Sequence, residues 1–342
     1  MKEELRVYNF LNKIRIGIKA NTNQLDKCEE NLEEIALNNS EYDRLIVVNT
    51  KSNNKILRDE RYPYLWKKSK GKKTQYYRYS TLVREIIKNS DLSYELFEYT
   101  PDNEGILGTL RTIYCQSDVA NKDALVHASI LNINGEGIIL VGPCRSGKTT
   151  LTLGFLREMK GRLINDGISL IHKKKDLLQG FYLPRPIYLR FFSIIQDPNL
   201  HNLLHEYNLR ESYQYFDHEV LQKIIKENAM HVDAGITVSR RKVSQIYGID
   251  TLTQTTINRL VLIDYSDNFK IYKISQSEAL KKLRHNEFPL RDTFTLLKLQ
   301  REIKPPEISQ IKDGWLNKVS CKFISYDSKK HMNRHILEEI LR

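Results

Sequence analysis

Cysteine is scarce in this chain, and no two of its four cysteines form a C-x-x-C pair. The positions Cys28, Cys115, Cys144 and Cys321 are scattered, which argues against a zinc site and against a disulfide framework. The chain also lacks an apolar run long enough to span a membrane. Its first residues are charged and lack the apolar core of a signal peptide. We therefore expect a cytoplasmic protein without a membrane partner.

The remaining composition is that of a globular protein. With 342 residues, 40% hydrophobic and 28% charged, the chain can form one large domain or two domains with their own cores. The 54 Lys and Arg residues outnumber the 42 Asp and Glu residues, which gives a net charge of +12. Such a charge is compatible with nucleic acid, acidic peptides or other anions as partners, and equally with a solvated lysine-rich surface.

A phosphate-binding motif is the strongest signal in the sequence. Residues 142–149 fit the pattern G-x-x-x-x-G-K-[ST] at every specified position. In this pattern backbone N–H groups surround the phosphates, the lysine reaches the β- and γ-phosphates, and the hydroxyl ligates Mg²⁺. An apolar run at 137–141 predicts a buried strand before the loop, and apolar spacing predicts a helix over 149–159. We predict a site for ATP, or GTP, with Mg²⁺, formed by Gly142, Pro143, Cys144, Arg145, Ser146, Gly147, Lys148, Thr149 and Thr150.

The chain before this motif is predicted to form a separate N-terminal α+β module over residues 1–115. Helices are expected at 26–38 and 80–89, and a strand at 44–49. Between them, residues 66–79 combine lysines with aromatic rings. That combination suits a nucleic-acid backbone with stacked bases, and it suits an exposed lysine-rich hairpin at least as well.

A nucleotide-binding domain is predicted over residues 116–342. The sequence indicates strands at 124–132 and 138–141, joined by the hairpin signal Asn134-Gly135. Further strands are expected at 162–165, 168–172, 180–183, 187–192, 259–264 and 319–325, and helical segments at 197–230, 277–303 and 331–341. This succession of hairpins predicts a mixed sheet and differs from the βαβαβ alternation of a parallel sheet.

Two further segments carry a family resemblance. Val126-His127-Ala128-Ser129 lies on the strand before the hairpin, and residues 162–167 read Arg-Leu-Ile-Asn-Asp-Gly. Together with the loop, these residues resemble the HPr kinase/phosphorylase-like P-loop kinases, which share their core with phosphoenolpyruvate carboxykinase. The resemblance covers roughly residues 120–190. It implies an ATP-dependent kinase that phosphorylates a serine-type hydroxyl of a protein or peptide, as the kinases of ribosomally made peptides do. Some relatives are homo-oligomers.

The resemblance also implies roles for individual residues. Lys148 would hold the phosphates, Thr149 would ligate Mg²⁺, and His127 matches the family's site histidine. Asp166 matches the first family aspartate, and can deprotonate the acceptor hydroxyl or hold the metal. The sequence departs from the family at two positions. Gly167 replaces the second aspartate and Arg145 replaces a loop glycine. The N-terminal module has no counterpart in the family, and we expect it to recognise the substrate.

The sequence is also compatible with other functions. The run at 260–264 ends in Asp264, as the metal-binding strand of many nucleotide hydrolases does, so a nucleic-acid-coupled NTPase is a second possibility. The missing second aspartate is compatible with a nucleotide-binding regulator that has no turnover. Basic residues at 184–186 and 239–242 could contact a phosphate or an acidic substrate, or could simply be solvated.

Overall fold

The structure is a computed structural model that describes residues 3–10, 13–32, 35–37, 41–50, 66–70, 73–78, 81–90, 93–98, 103–117, 120, 122–203, 235–288, 306, 309–327 and 333–342. The chain forms two compact units. The first contains residues 1–125, 183–185 and 287–310, and the second contains residues 126–182, 186–286 and 311–342.

In chain order the strands and helices are β1 (Glu3–Phe10), β2 (Ile14–Asn21), α1 (Thr22–Leu32), β3 (Ala36–Leu37), β4 (Arg44–Thr50), β5 (Trp66–Lys70), β6 (Lys73–Arg78), β7 (Thr81–Lys88), β8 (Ser93–Glu98), α2 (Asn103–Gln116), β9 (Asp123–Ile133), β10 (Glu136–Val141), α3 (Lys148–Met159), β11 (Arg162–Asn165), β12 (Ile168–Lys174), β13 (Leu177–Phe181), β14 (Ile187–Arg190), α4 (Phe191–Gln196), β15 (Gly235–Val238), α5 (Arg240–Tyr247), β16 (Gln254–Tyr265), β17 (Lys270–Lys273), α6 (Gln276–His285), β18 (Glu287–Phe288), β19 (Ser320–Tyr326) and α7 (Arg334–Leu341).

The first unit contains a mixed sheet in the order β3-β1-β2-β4-β8-β7-β6-β5. The strands β2, β4 and β8 run parallel to one another, and the remaining neighbours pair antiparallel. The predicted strand at 44–49 is confirmed as β4. The basic segment at 66–79 contributes β5 and β6, which pair antiparallel with Trp66 opposite Tyr77, as the hairpin interpretation predicts.

The helix predicted at 80–89 is wrong, because these residues form strand β7 between β6 and β8. The apolar residues of this segment have a spacing that also suits one face of a helix. Three of them, Val83, Ile86 and Ile87, are β-branched and favour a strand once two neighbouring strands supply backbone hydrogen bonds. The helix predicted at 26–38 covers Thr22–Leu32 instead. It begins earlier, because the Asn21 side chain accepts a hydrogen bond from the backbone of Gln24, and its predicted last residues, Ala36–Leu37, form strand β3.

The second unit is organised around a mixed sheet in the order β10-β9-β12-β13-β16-β19-β17, with β11 also paired to β9. The long strand β16 pairs with β13 through its first residues, and with β10 and β19 further along. Both β10 and β19 run parallel to β16, whereas β9 and β17 are antiparallel to their partners. The structure therefore has the mixed, hairpin-rich sheet that the sequence predicts.

The β9–β10 hairpin brings the chain to the predicted loop. Asn134 and Gly135 have φ angles of 51° and 90°, as a two-residue turn with two left-handed positions requires. On one side of the sheet, helices α3 and α7 pack over buried apolar residues of β10, β16 and β19, among them Leu140, Val261 and Ile324. This packing fixes the end of β10 relative to the start of α3.

Other predicted elements of the second unit are confirmed in part. The strands predicted at 162–165 and 168–172 are β11 and β12, but the strand predicted at 187–192 ends at Arg190, where helix α4 begins. The predicted helical segments 197–230 and 277–303 extend beyond the described residues, and in the second of them α6 ends at His285. Across the described ranges, no helix is long and apolar enough to cross a membrane.

Candidate functional site

The segment 142–149 lies where β10 ends and α3 begins. Gly142 packs against the neighbouring strand so closely that a Cβ atom there would lie 2.3 Å from the carbonyl oxygen of Ile263. Only glycine fits such an approach. The first glycine of the motif thus holds the loop at the carboxyl end of β16, and the backbone N–H groups at the start of α3 face the loop.

Lys148 is buried at the first position of α3. Its Nζ donates hydrogen bonds to the carbonyl oxygens of Gly142 and Pro143, each at 2.8 Å. Burial lowers the pKa of Lys148 to about 8, although the carboxylate of Asp166 acts in the opposite direction. The positive charge of Arg190, at the end of β14, contributes to the lowering. The loop therefore encloses the Lys148 amine, which is readily protonated near neutral pH. An anion bound in the loop would stabilise this positive charge.

Asp166 stands next to this lysine, in the turn between β11 and β12. Its side chain is buried, and its Oδ2 accepts a hydrogen bond from Thr149 Oγ1 at 2.9 Å. Its Oδ1 accepts a hydrogen bond from the Ser129 hydroxyl, which projects from β9. The structure thus brings Lys148, Thr149 and Asp166 together. Lys148 and Thr149 are predicted from the motif, and Asp166 is predicted from the turn after β11.

Gly167, which stands where the sequence resemblance leads us to expect a second aspartate, has an unusual backbone conformation. Gly167 adopts a φ angle of 87°, a conformation that an aspartate would reach only with strain. Within the described ranges, no three His, Cys, Asp or Glu side chains lie together as metal ligands. Asp264 is exposed at the end of β16 and accepts a hydrogen bond from its neighbour Tyr265 N. The turn therefore offers one carboxylate, that of Asp166.

Arg145, which stands where the sequence resemblance leads us to expect a glycine, is exposed and has a φ angle of 68°. A glycine tolerates this left-handed conformation, whereas an arginine pays a steric penalty because of its Cβ atom. The loop keeps the shape that a glycine would give it, and the arginine side chain projects outward.

We expect the substitution Arg145→Gly to raise the free energy of unfolding by about 1 kcal/mol, because it removes this penalty. Urea unfolding of the purified protein measures the change. Arg145→Ala is the matched control, since it removes the same side chain, keeps the Cβ atom and should give no such gain. Equal stability of the glycine and alanine variants would contradict a strained loop.

The remaining residues of the segment differ in exposure. Cys144 is a free, exposed thiol, whereas Cys28, Cys115 and Cys321 are buried. Ser146 is buried, and its Oγ has no hydrogen-bond partner among the described residues. Pro143 is exposed and Thr150 is half-buried. The loop thus has a buried hydroxyl at Ser146 and an exposed thiol at Cys144.

His127 lies on β9, two residues before Ser129. Side chains alternate along a strand, so His127 and Ser129 share the face of β9 that looks toward Asp166. The backbone N–H of His127 donates to the Asn286 carbonyl at 2.8 Å, and its side chain is half-buried. The structure therefore places His127 on the strand and face of the candidate site.

The basic residues at 239–242 differ in their surroundings, because Arg241 is exposed and Lys242 is half-buried, whereas Arg240 is neither solvated nor at the loop. Ser239 caps helix α5, and Arg240 is buried. The Arg240 guanidinium donates a hydrogen bond to the carbonyl of Ile164 at 3.1 Å and lies 3.7 Å from the centre of the Tyr182 ring. Arg240 thus supports the strand that leads into Asp166.

Two side-chain contacts of the site are not predicted by any sequence motif. Ser129 lies in the segment 126–129, which is part of the family resemblance. Only the folded structure shows that its hydroxyl reaches Asp166. Tyr326, the last residue of β19, donates from its hydroxyl to the carbonyl of Gly147 at 2.7 Å. Burial raises the pKa of Tyr326 well above its usual value, so this hydroxyl keeps its proton. Sequence reasoning missed Tyr326 because it lies 179 positions from its partner.

Comparison with known proteins gives a distant structural likeness and no match in sequence. No protein family matches the chain, and no curated protein does. Among solved structures, the chain is similar to the Hpr(Ser) kinase/phosphatase from Coxiella burnetii, with a TM-score of 0.28 and 10% sequence identity, over 64% of this chain and 91% of that chain. The resemblance to HPr kinases that the sequence predicts is therefore supported only by a distant structural likeness.

Proposed function

We propose that the chain is an ATP-dependent kinase that transfers the γ-phosphate to a serine-type hydroxyl of a protein or peptide. The observation that carries the proposal is the convergence of Lys148, Thr149 and Asp166 at the start of α3. A phosphoryl transfer needs a phosphate cradle, a metal ligand and a group that orients the acceptor hydroxyl. These three side chains have the chemistry for those tasks.

The triphosphate would lie against the loop 142–149. Its negative charge would replace the two carbonyl oxygens that Lys148 contacts, and the backbone N–H groups at the start of α3 would donate to it. The buried hydroxyl of Ser146 adds a donor inside the loop. These groups contact phosphates alone, so the loop accepts GTP as well as ATP.

The oxygen atoms of Thr149 and Asp166 fit Mg²⁺. Two neighbouring ligands of an octahedral Mg²⁺ site lie about 2.9 Å apart, since each is 2.0–2.1 Å from the ion. The Oγ1 of Thr149 and Oδ2 of Asp166 are 2.9 Å apart. Mg²⁺ commonly uses one or two carboxylates together with substrate phosphates, which agrees with the single carboxylate in this turn. When bound, the ion would neutralise negative charge on the β- and γ-phosphates.

On the acceptor side, the candidate groups are Asp166 and His127. Asp166 would orient the hydroxyl or hold the metal, and His127 would support one of these tasks from β9. The N-terminal unit would recognise the protein or peptide that carries the hydroxyl. A homo-oligomer is compatible with this assignment, and nucleic acid is not required for it.

A nucleic-acid-coupled NTPase is the second candidate, and the position of Asp264 favours it. This exposed carboxylate follows the β16 residues that pair in parallel with β10, so it lies at the same edge of the sheet as the loop. That is where nucleotide hydrolases place a metal-binding aspartate. A regulator that binds nucleotide without turnover is the remaining possibility, because the turn supplies one carboxylate only.

The test is a phosphate-transfer experiment with Mg²⁺ and γ-labelled ATP, using candidate peptides and a cell lysate as acceptors. We expect label to appear as an acid-stable phosphoester on a protein or peptide, and to be absent with Lys148→Ala. Label that is released only as free phosphate, especially if nucleic acid accelerates its release, would support the NTPase. Binding of ATP without any turnover would support the regulator.

A further inference from the structure

Ser129 holds one oxygen of the Asp166 carboxylate. Its side chain is fully buried on β9, and its hydroxyl donates to Oδ1 of Asp166. The other oxygen, Oδ2, accepts from Thr149 at 2.9 Å. The carboxylate therefore lies between two hydroxyl groups from different elements, and rotation about its side-chain bonds would break both contacts.

Neighbouring contacts fix Ser129 relative to the turn. Ser129 lies opposite Leu140 on β10, and the backbone N–H of Ala128 donates to the carbonyl of Gly167 at 3.1 Å. The hydroxyl of Ser169 on β12 donates to the carbonyl of Ala128 at 2.7 Å. Before the turn, β11 pairs with β9, with Asn165 opposite Ile130, and the two contacts above tie β9 to the chain after the turn. The Ser129 hydroxyl is therefore placed by the sheet and does not depend on a loop.

We propose that Ser129 is a positioning residue that orients Asp166 as a metal ligand. It occupies Oδ1, so that Oδ2 faces Thr149 and the divalent cation. This inference rests on the proposed function, because it assumes a metal–triphosphate complex at the loop. Groups that hold a metal-ligating carboxylate in place contribute strongly to metal affinity, typically by about 10- to 100-fold.

The experiment is a Mn²⁺ titration of the nucleotide-bound protein, with free Mn²⁺ measured by electron paramagnetic resonance. With Ser129→Ala we expect the Mn²⁺ affinity of the ATP complex to fall by about 10- to 100-fold. Binding of ATP in the presence of EDTA should be unchanged, because the Ser129 hydroxyl donates to Asp166 and the loop itself stays intact in this variant. Ser129→Cys, which keeps a weak donor of similar shape, should give an intermediate affinity.

Ser169→Ala is the matched control. It also removes a buried serine hydroxyl next to β9, but that hydroxyl contacts a backbone carbonyl and not Asp166. We expect this variant to keep the wild-type Mn²⁺ affinity. Thermal unfolding of every variant shows whether a loss of metal binding follows from unfolding, and Ser129→Cys serves for the comparison if Ser129→Ala does not fold.

The outcomes separate this inference from the proposed function. If the wild type binds Mn²⁺-ATP and Ser129→Ala binds it equally well, Ser129 does not position the ligand and the inference is overturned. An equal loss in Ser169→Ala also overturns it, since any buried serine of this region would then have the same effect. If the wild type binds ATP neither with Mn²⁺ nor in EDTA, the proposed function fails and the inference fails with it.

Discussion

The variant Lys148→Ala is expected to bind ATP about 100-fold more weakly than the wild type and to show no phosphate transfer. Removing one partner of a buried charged contact typically costs about 2–5 kcal/mol, and about 1.4 kcal/mol corresponds to tenfold in affinity. Alkylation of Cys144 can report ATP binding, because Cys144 lies in the loop and is exposed while the other three cysteines are buried. Alkylation of Cys144 should be slowed by ATP in the wild type and should be unaffected by ATP in the variant.

Lys322→Ala is a suitable control for this variant. Lys322 is also buried, its Nζ donates to a backbone carbonyl, that of Glu339, and burial lowers its pKa. It lies on β19, outside the loop, so its removal should leave ATP protection of Cys144 intact. If the two variants lose protection to the same degree, the effect comes from general destabilisation and Lys148 has no special role.

The same lysine gives nucleotide binding a pH dependence. Because the pKa of Lys148 is about 8 in the folded protein, its ammonium form predominates below that pH and is lost as the pH rises. An anion binds the ammonium form, so affinity should be constant below pH 8 and fall by about tenfold per pH unit above it. Calorimetry in buffers of different ionisation enthalpy should show proton uptake on binding above pH 8.

Local patterns were sufficient to predict the parts of the site that are continuous in sequence. The motif at 142–149 and the hairpin at Asn134 and Gly135 were predicted from residue types whose backbone requirements are specific. The φ angles at Arg145 and Gly167 could not be predicted. They depend on how the loop and the turn fit against β16 and β9, which are distant in sequence.

Tertiary contacts decided the elements where local patterns were ambiguous. The segment that forms β7 has apolar residues at helical spacing, and it becomes a strand because β6 and β8 lie on either side of it. The contacts of Ser129 with Asp166 and of Tyr326 with Gly147 join residues 37 and 179 positions apart. A single sequence contains no signal for such pairs, so the side chains that support the site became visible only in the folded chain.

The variant Asp166→Asn is expected to keep ATP binding in the absence of metal and to lower phosphate transfer by about 1,000-fold. The loop and Lys148, which contact the phosphates in our proposal, remain intact in this variant. The amide lacks the negative charge, and its nitrogen cannot accept a hydrogen bond from Ser129 or Thr149. Single-turnover transfer of labelled phosphate measures the loss, and ATP protection of Cys144 in EDTA measures the retained binding.

Asp264→Asn is the decisive comparison for Asp166→Asn, because Asp264 is the alternative carboxylate at the same edge of the sheet. If Asp166 is the acid of the site, Asp264→Asn should retain transfer close to the wild-type rate. The charge of Asp166 also raises the pKa of Lys148, so in Asp166→Asn the loss of ATP affinity with pH should begin below pH 8. Retained transfer in Asp166→Asn together with lost transfer in Asp264→Asn would assign the metal to Asp264 and favour the hydrolase.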